Sequence, residues 1–115
     1  MKKKLLVAED EAVIRLLIKK AVGDRFHMEE ADNGATALAK AKCTEYDCVL
    51  TDIQMPGMNG LELLVSLKKA RPRVKVIVMT ASGDEFLNFA RARGAHSVLE
   101  KPFGVDELMA SLSGI

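Results

Sequence analysis

The sequence predicts an α/β domain in which successive βα units, (βα)5 in all, build a parallel sheet. Three observations lead there. Short aliphatic and β-branched runs alternate with longer stretches of helical period, the pattern of repeated βαβ connections. The 115 residues, 49% of them hydrophobic, suffice for one core and leave no room for a second, so residues 1–115 read as a single domain. Polar residues gather where four of the aliphatic runs end, which is where open α/β sheets carry their ligand sites.

The first strand is expected near 4–8, "KLLVA", and the first helix follows from Val13, Ile14, Leu17, Ile18 and Ala21, which recur at helical spacing as one apolar stripe. The second strand, near 27–31 in "HMEEA", is polar and is assigned to an edge of the sheet. "NGATALAKAK" carries the second helix, with Asn33 as its start signal. The third strand is expected at 47–51. The third helix opens at Asn59, a good N-cap, and runs through Leu61, Leu64, Val65 and Leu67 until Arg71-Pro72 stops it. A fourth strand near 74–80 leads to a helix from Gly83 to Arg93, ended by Gly94. A strand near 96–100 and a helix in "GVDELMASL" complete the chain.

Composition narrows the function. Net charge is +1 from 17 basic and 16 acidic residues, so no overall field recommends nucleic acid or a membrane surface as a partner. The basic opening "MKKKLLVAEDEA" meets acids too soon to be a signal peptide. No run approaches the roughly 18 apolar residues of a membrane span, and a cytoplasmic location is expected. "KKARPRVK" reads as a solvated face at a helix C-terminus, where cations are favoured. Cys43 and Cys48 lack neighbours at metal spacing and read as two buried or half-buried thiols. His27 and His96 are expected at the surface, and Met55 and Met58 packed under the turn that follows Asp52.

The polar residues are more informative. Strand one ends in Glu9-Asp10-Glu11, strand three in Asp52, strand four in Thr80 and strand five in Lys101. In a parallel sheet these ends share one edge, so side chains distant in sequence converge on one cleft. Glu9, Asp10 and Asp52 would repel one another there, raising at least one pKa unless a cation is bound. Carboxylates with a carbonyl and waters suit Mg²⁺ better than Zn²⁺, whose His and Cys ligands are missing. Mg²⁺, Lys101 and the Thr80 hydroxyl form a set able to hold three phosphoryl oxygens, and an aspartate is a competent nucleophile for making an aspartyl-phosphate. In "VLTDIQMPGMNG", Asp52 is then the phosphorylated residue, and the turn behind it leaves the carboxylate open while aiming the main-chain oxygen of Gln54 at the metal.

Taken singly, Asp52 is a solvated loop acid, Lys101 a surface lysine and Thr80 a strand-end cap; their common register is what makes a site. Glu11 reads as a first-turn acid favoured by the helix dipole. The chain carries acids after strand one where a nucleotide-binding fold would carry a Gly-rich phosphate loop.

"LLVAEDEAVIR", "DCVLTDIQMPGMNGLELL", "VIVMTA" and "SVLEKPF" resemble, in order and along essentially the whole chain, the receiver domain of bacterial two-component response regulators of the chemotaxis-regulator type. The resemblance implies a flavodoxin-like, doubly wound parallel sheet of order 2-1-3-4-5. It implies Mg²⁺-dependent transfer of a phosphoryl group to Asp52 from the phosphohistidine of a sensor histidine kinase or histidine phosphotransfer protein. By the same resemblance Asp10 ligates the metal directly, Glu9 mainly through water, Asp52 as ligand and phosphoacceptor, and Gln54 through its main-chain oxygen. Thr80 matches the switch hydroxyl, Ala81 its small neighbour, Lys101 the phosphate-pairing lysine, and Pro102 the residue that follows in a usually cis bond. The chain would then be a signalling switch, self-catalysing its phosphorylation and hydrolysis, whose output is a change in protein contacts. Its downstream target is expected to be another protein, and a phosphorylation-dependent dimer is compatible with the resemblance.

Two departures from the family pattern bear on output. Val98 stands where the family often has Tyr, Phe or His, so signalling through helix four, strand five and helix five falls to backbone shifts or to Phe86, Phe89 and Phe103. The stretch from Thr80 to Lys101 is also slightly shorter than in the family, so the fourth helix is expected to start late or be irregular. Among other functions, an aspartate-nucleophile phosphatase normally wants a second acid two residues after the nucleophile, where Gln54 stands. An FMN-binding module wants phosphate-binding loops, which are missing. A receiver-like interaction module without phosphorylation is disfavoured because every expected site residue is present.

Overall fold

The structure, a computed structural model, describes residues 2–81 and 84–115. Its elements follow the hydropathy pattern in order: β1 (Lys3–Ala8), α1 (Ala12–Val22), β2 (Phe26–Ala31), α2 (Gly34–Cys43), β3 (Cys48–Asp52), α3 (Gly60–Ala70), β4 (Lys75–Thr80), α4 (Asp84–Ala92), β5 (Ser97–Glu100) and α5 (Val105–Leu112). A 3₁₀ turn at Gly23–Arg25, which the periodicity did not announce, joins α1 to β2. All strand pairs are parallel and the order is β2-β1-β3-β4-β5, the doubly wound arrangement expected. The polar second strand lies at the edge, as its composition predicts.

Alternation along each strand sends successive side chains to opposite faces. On one face Leu6, Ala8, Val49, Val76 and Val78 meet Ala37 and Ala41 of α2, Leu63, Leu64 and Leu67 of α3 and Ala90 of α4. On the other, Leu5, Val7, Leu50, Ile77 and Met79 meet Ile18 and Val22 of α1 and Leu108 and Leu112 of α5. Every residue of β3 is buried, as befits a central strand covered on both faces. Helix starts follow the capping chemistry. Asn33 accepts from the Thr36 amide at 2.8 Å, and Asn59 forms a capping box with Glu62.

Two expectations change. The stripe assigned to α1 splits: Ile14, Ile18 and Ala21 turn inward with Val22, while Val13 and Leu17 are 68% and 60% exposed. The reason is geometric, because only α5 and one sheet face cover α1 and leave the outer half of a wide apolar arc uncovered. Cys43 is exposed at the end of α2, and Cys48 alone is buried. The fourth helix begins at Asp84; Gly83, its expected first residue, lies outside the described residues. Among the described residues no helix is long and apolar enough to cross a membrane.

Candidate functional site

The chain runs out to β2 and then crosses back over β1 to reach β3, so the strand order reverses between β1 and β3. At such a point the two following loops diverge and open a cleft at the carboxyl ends of the strands. Register aligns these ends, with Ala8 opposite Thr51, Asp52 opposite Met79 and Thr80 opposite Glu100. Glu9, Asp10, Asp52, Thr80 and Lys101 therefore reach one rim.

Carboxylate oxygens of Glu9, Asp10 and Asp52 lie within 4.8 Å of one another. Glu9 is fully buried, Asp52 nearly so, and Asp10 is exposed. The Lys101 ammonium bridges the two buried acids, donating to Asp52 Oδ2 at 2.8 Å and to Glu9 Oε1 at 3.0 Å. Its main-chain amide donates to the Thr80 carbonyl at 2.8 Å, which fixes the start of the side chain. The donors are hard oxygens without sulfur or imidazole, which suits a hard divalent cation such as Mg²⁺.

Burial and crowding set the electrostatics. Loss of hydration, chiefly, and contact with the Asp10 carboxyl push the Glu9 carboxyl up to about 7, against the opposing pull of the Glu11 amide and Lys101. For Lys101 burial favours the neutral amine, but its bonds to Asp52 and Glu9 outweigh this and raise its pKa. A cation in the acidic cluster would offset both the lost hydration and the crowding that now favour a proton on Glu9.

The turn behind Asp52 explains its glycines. Gly57 adopts φ 72°, a left-handed conformation that residues with a Cβ rarely take. Gly60 begins α3 against the backbone of β3, where a Cβ would overlap the Asp52 carbonyl oxygen. Its amide donates to the Ile53 carbonyl at 2.8 Å. The Gln54 amide points to Asp52 Oδ1 at 3.3 Å, a long bond, and Gln54 itself is exposed at the rim. Met55 is buried and Met58 packs against the same core, as expected under the turn.

The remaining expected residues lie around this centre. Thr80 is buried at the end of β4, and Ala81 follows at the surface. Val98 is half-buried on the α4 face of β5, Phe86 packs into the same core, and Phe103 packs into the opposite one. Phe89 is exposed and stacks under the Arg93 guanidinium at 4.8 Å. Pro102 follows Lys101 through a cis peptide bond. It lines an apolar groove of about 580 Å³ between α1 and α5, with Ile14, Leu17, Ala81, Lys101 and Phe103 among its walls. Two participants escaped the sequence reading. Gly60 was visible as a glycine, but its partner was not; Arg15 bonds to Glu9 and Glu30 and gave no local signal.

Comparison with known proteins agrees with this architecture. The family model described as the response regulator receiver domain matches residues 5–113. The DNA-binding transcriptional regulator NtrC of Escherichia coli is 38% identical over 106 residues, covering 90% of this chain and 23% of that protein, so the chain spans under a quarter of that relative. Sporulation initiation phosphotransferase F of Bacillus subtilis is 33% identical over 110 residues, covering 94% of this chain and 89% of that protein. Among solved structures, the chemotaxis protein CheY4 of Vibrio cholerae superposes with a TM-score of 0.89 at 28% identity, covering 97% of both chains.

Proposed function

The chain belongs to the response regulator receiver domain family, and we propose that it is a phospho-accepting switch in which Asp52 takes a phosphoryl group from a phosphohistidine. The observation that carries this reading is the bridge from Lys101 to Asp52 and Glu9, set in a cluster of three carboxylates. A lone rim aspartate would gain nothing from such an arrangement. A nucleophile that must accept a dianionic group needs cations already in place, because electrostatic stabilisation carries most of phosphoryl transfer.

Asp52 attacks phosphorus through a carboxylate oxygen, the P–N bond to the donor imidazole breaks, and the imidazole leaves with its electron pair. Lys101, already 2.8 Å from Asp52, pairs with a phosphoryl oxygen. Glu9, Asp10, Asp52 and the main-chain oxygen of Gln54 would hold Mg²⁺, which when bound neutralises charge developing on the phosphoryl oxygens. The Thr80 hydroxyl, at the end of the neighbouring strand, is the group assigned to sense the new phosphate, with Ala81 leaving room for its turn. With Val98 in place of an aromatic, the signal passes through backbone shifts in β4 and β5 and the packing of Phe86, Phe89 and Phe103. Residues 1–115 make one receiver domain, placed in the cytoplasm, that hydrolyses its own phosphate.

The donor, a sensor histidine kinase or histidine phosphotransfer protein, docks on α1. Val13, Leu16 and Leu17 are exposed there, 68%, 51% and 60% respectively. The groove beside them reaches Lys101 and Pro102, so an apolar helix laid into it brings its histidine to the acidic rim. Incubation with Mg²⁺ and acetyl phosphate is expected to add one phosphate, and Asp52→Asn or a chelator to prevent it. An unmodified wild-type protein would refute the reading, and continuous turnover of phosphate esters would favour a phosphatase.

A further inference from the structure

We propose that Arg15 is a positioning residue that sets the acidic loop in the geometry a divalent cation requires, an inference that rests on reading Glu9, Asp10 and Asp52 as a metal site. Arg15 lies on α1, one turn beyond Glu11. Its side chain is only 19% exposed and spans two elements, with Nη1 donating to the Glu9 carbonyl oxygen at 2.7 Å and Nε to Glu30 Oε1 at 3.0 Å. Glu30 is itself anchored: it pairs with Val7 in the sheet, and its carbonyl accepts from Lys40 Nζ of α2 at 2.6 Å. A continuous series of bonds thus runs from α2 through β2 and α1 to the loop.

Each polar group of Glu9 has a distinct holder. Its amide donates to the Ala31 carbonyl at 3.0 Å, Oε2 accepts from the Glu11 amide at 3.1 Å, and Oε1 accepts from Lys101. The carbonyl is left to Arg15, and that carbonyl belongs to the peptide joining Glu9 to Asp10. Asp10 is exposed and its carboxyl touches only that of Glu9 among the contacts described above, so the plane of the preceding peptide sets the direction in which its side chain leaves the backbone. Arginine suits the task because its planar fork presents two donors in fixed directions, whereas a lysine ammonium is a compact charge on a flexible stem whose donors do not fix the angle between two acceptors.

The test compares wild type, Arg15→Ala, Arg15→Lys and Glu30→Gln. Mg²⁺ affinity is measured by calorimetry, and amide hydrogen exchange at Asp10 and Glu11 in metal-free protein. Arg15→Ala is expected to lose roughly tenfold in Mg²⁺ affinity, the scale of losing an outer partner of a metal ligand, with faster exchange at both amides. Arg15→Lys should recover part of the affinity through the Glu9 carbonyl. Glu30→Gln, which still accepts from Nε, should stay closer to wild type than Arg15→Ala. A folded Arg15→Ala that binds Mg²⁺ as wild type does would overturn the inference, whatever its stability, and leave Arg15 a tie between helix and strand. Should that variant not fold, Arg15→Lys decides: reduced affinity supports the proposal and wild-type affinity overturns it. If wild type itself binds no Mg²⁺, the reading of the site fails; unchanged exchange in Arg15→Ala would then separately refute the positioning role.

Discussion

The carbonyl oxygen of Asp52 fills the space where Gly60 would carry a Cβ, so the first turn of α3 rests directly on the backbone of the candidate phosphoacceptor. Relief there would require movement of main chain rather than of a flexible side chain. Gly60→Ala is accordingly expected to cost about 2–3 kcal/mol, seen as a lower urea midpoint, and to slow labelling of Asp52 by acetyl phosphate. An unshifted midpoint would contradict the close approach.

The raised pKa of Glu9 makes metal-free stability depend on pH. Folding lifts this carboxyl from 4.5 to about 7, so the folded state binds more protons in that interval than the unfolded one. Stability from this group therefore falls as pH rises from 4.5 to about 7 and levels off above. Mg²⁺ competes with that proton, so its apparent affinity should climb over the same range. Urea titrations in chelator at several pH values check the first expectation, and Glu9→Gln should remove this group's share of the slope.

Lys101→Met deprives two buried carboxylates of their shared ammonium. The cost in metal-free protein at pH 8 should be about 1–3 kcal/mol, below the ~3–5 of a fully buried broken pair, because Glu9 can take up a proton instead. Added Mg²⁺ should restore much of the lost stability while labelling of Asp52 stays impaired. Thermal melts with and without the metal distinguish this from general damage to the fold, which the metal would not reverse.

Replacing Leu16 and Leu17 together by Ser should leave stability nearly unchanged, since both side chains are more than half exposed. Labelling by acetyl phosphate should also persist. Transfer from a phosphorylated kinase or phosphotransfer protein should weaken roughly tenfold, through the half-saturating donor concentration, if each leucine contributes about 0.7 kcal/mol to docking. Equal loss with both donors would place the defect in the site and not on α1.

Much of this molecule could be read from residue order, because local physics decided it. Strand and helix positions follow from periodicity of 2 and 3.6, the caps at Asn33 and Asn59 from side chains that satisfy nearby amides, and the edge place of β2 from its glutamates. The gathering of Glu9, Asp10, Asp52, Thr80 and Lys101 was also legible, because parallel strands must align their ends. The inward set of α1 was not. Val13 and Leu17 share an apolar arc with Ile14 and Ile18, and only the placement of α5 and the sheet selects which half is covered.

By itself, then, the sequence determined the elements, their parallel direction and the chemical kinds of group at one rim, since each depends on spacing along the chain, while the strand order followed from the family resemblance. Tertiary structure alone decided that Lys101 spans Asp52 and Glu9, that Gly60 must lack a side chain, and that Arg15 holds the Glu9 carbonyl. Those relations are distances between backbones brought together by packing, and no local pattern encodes a distance across the fold.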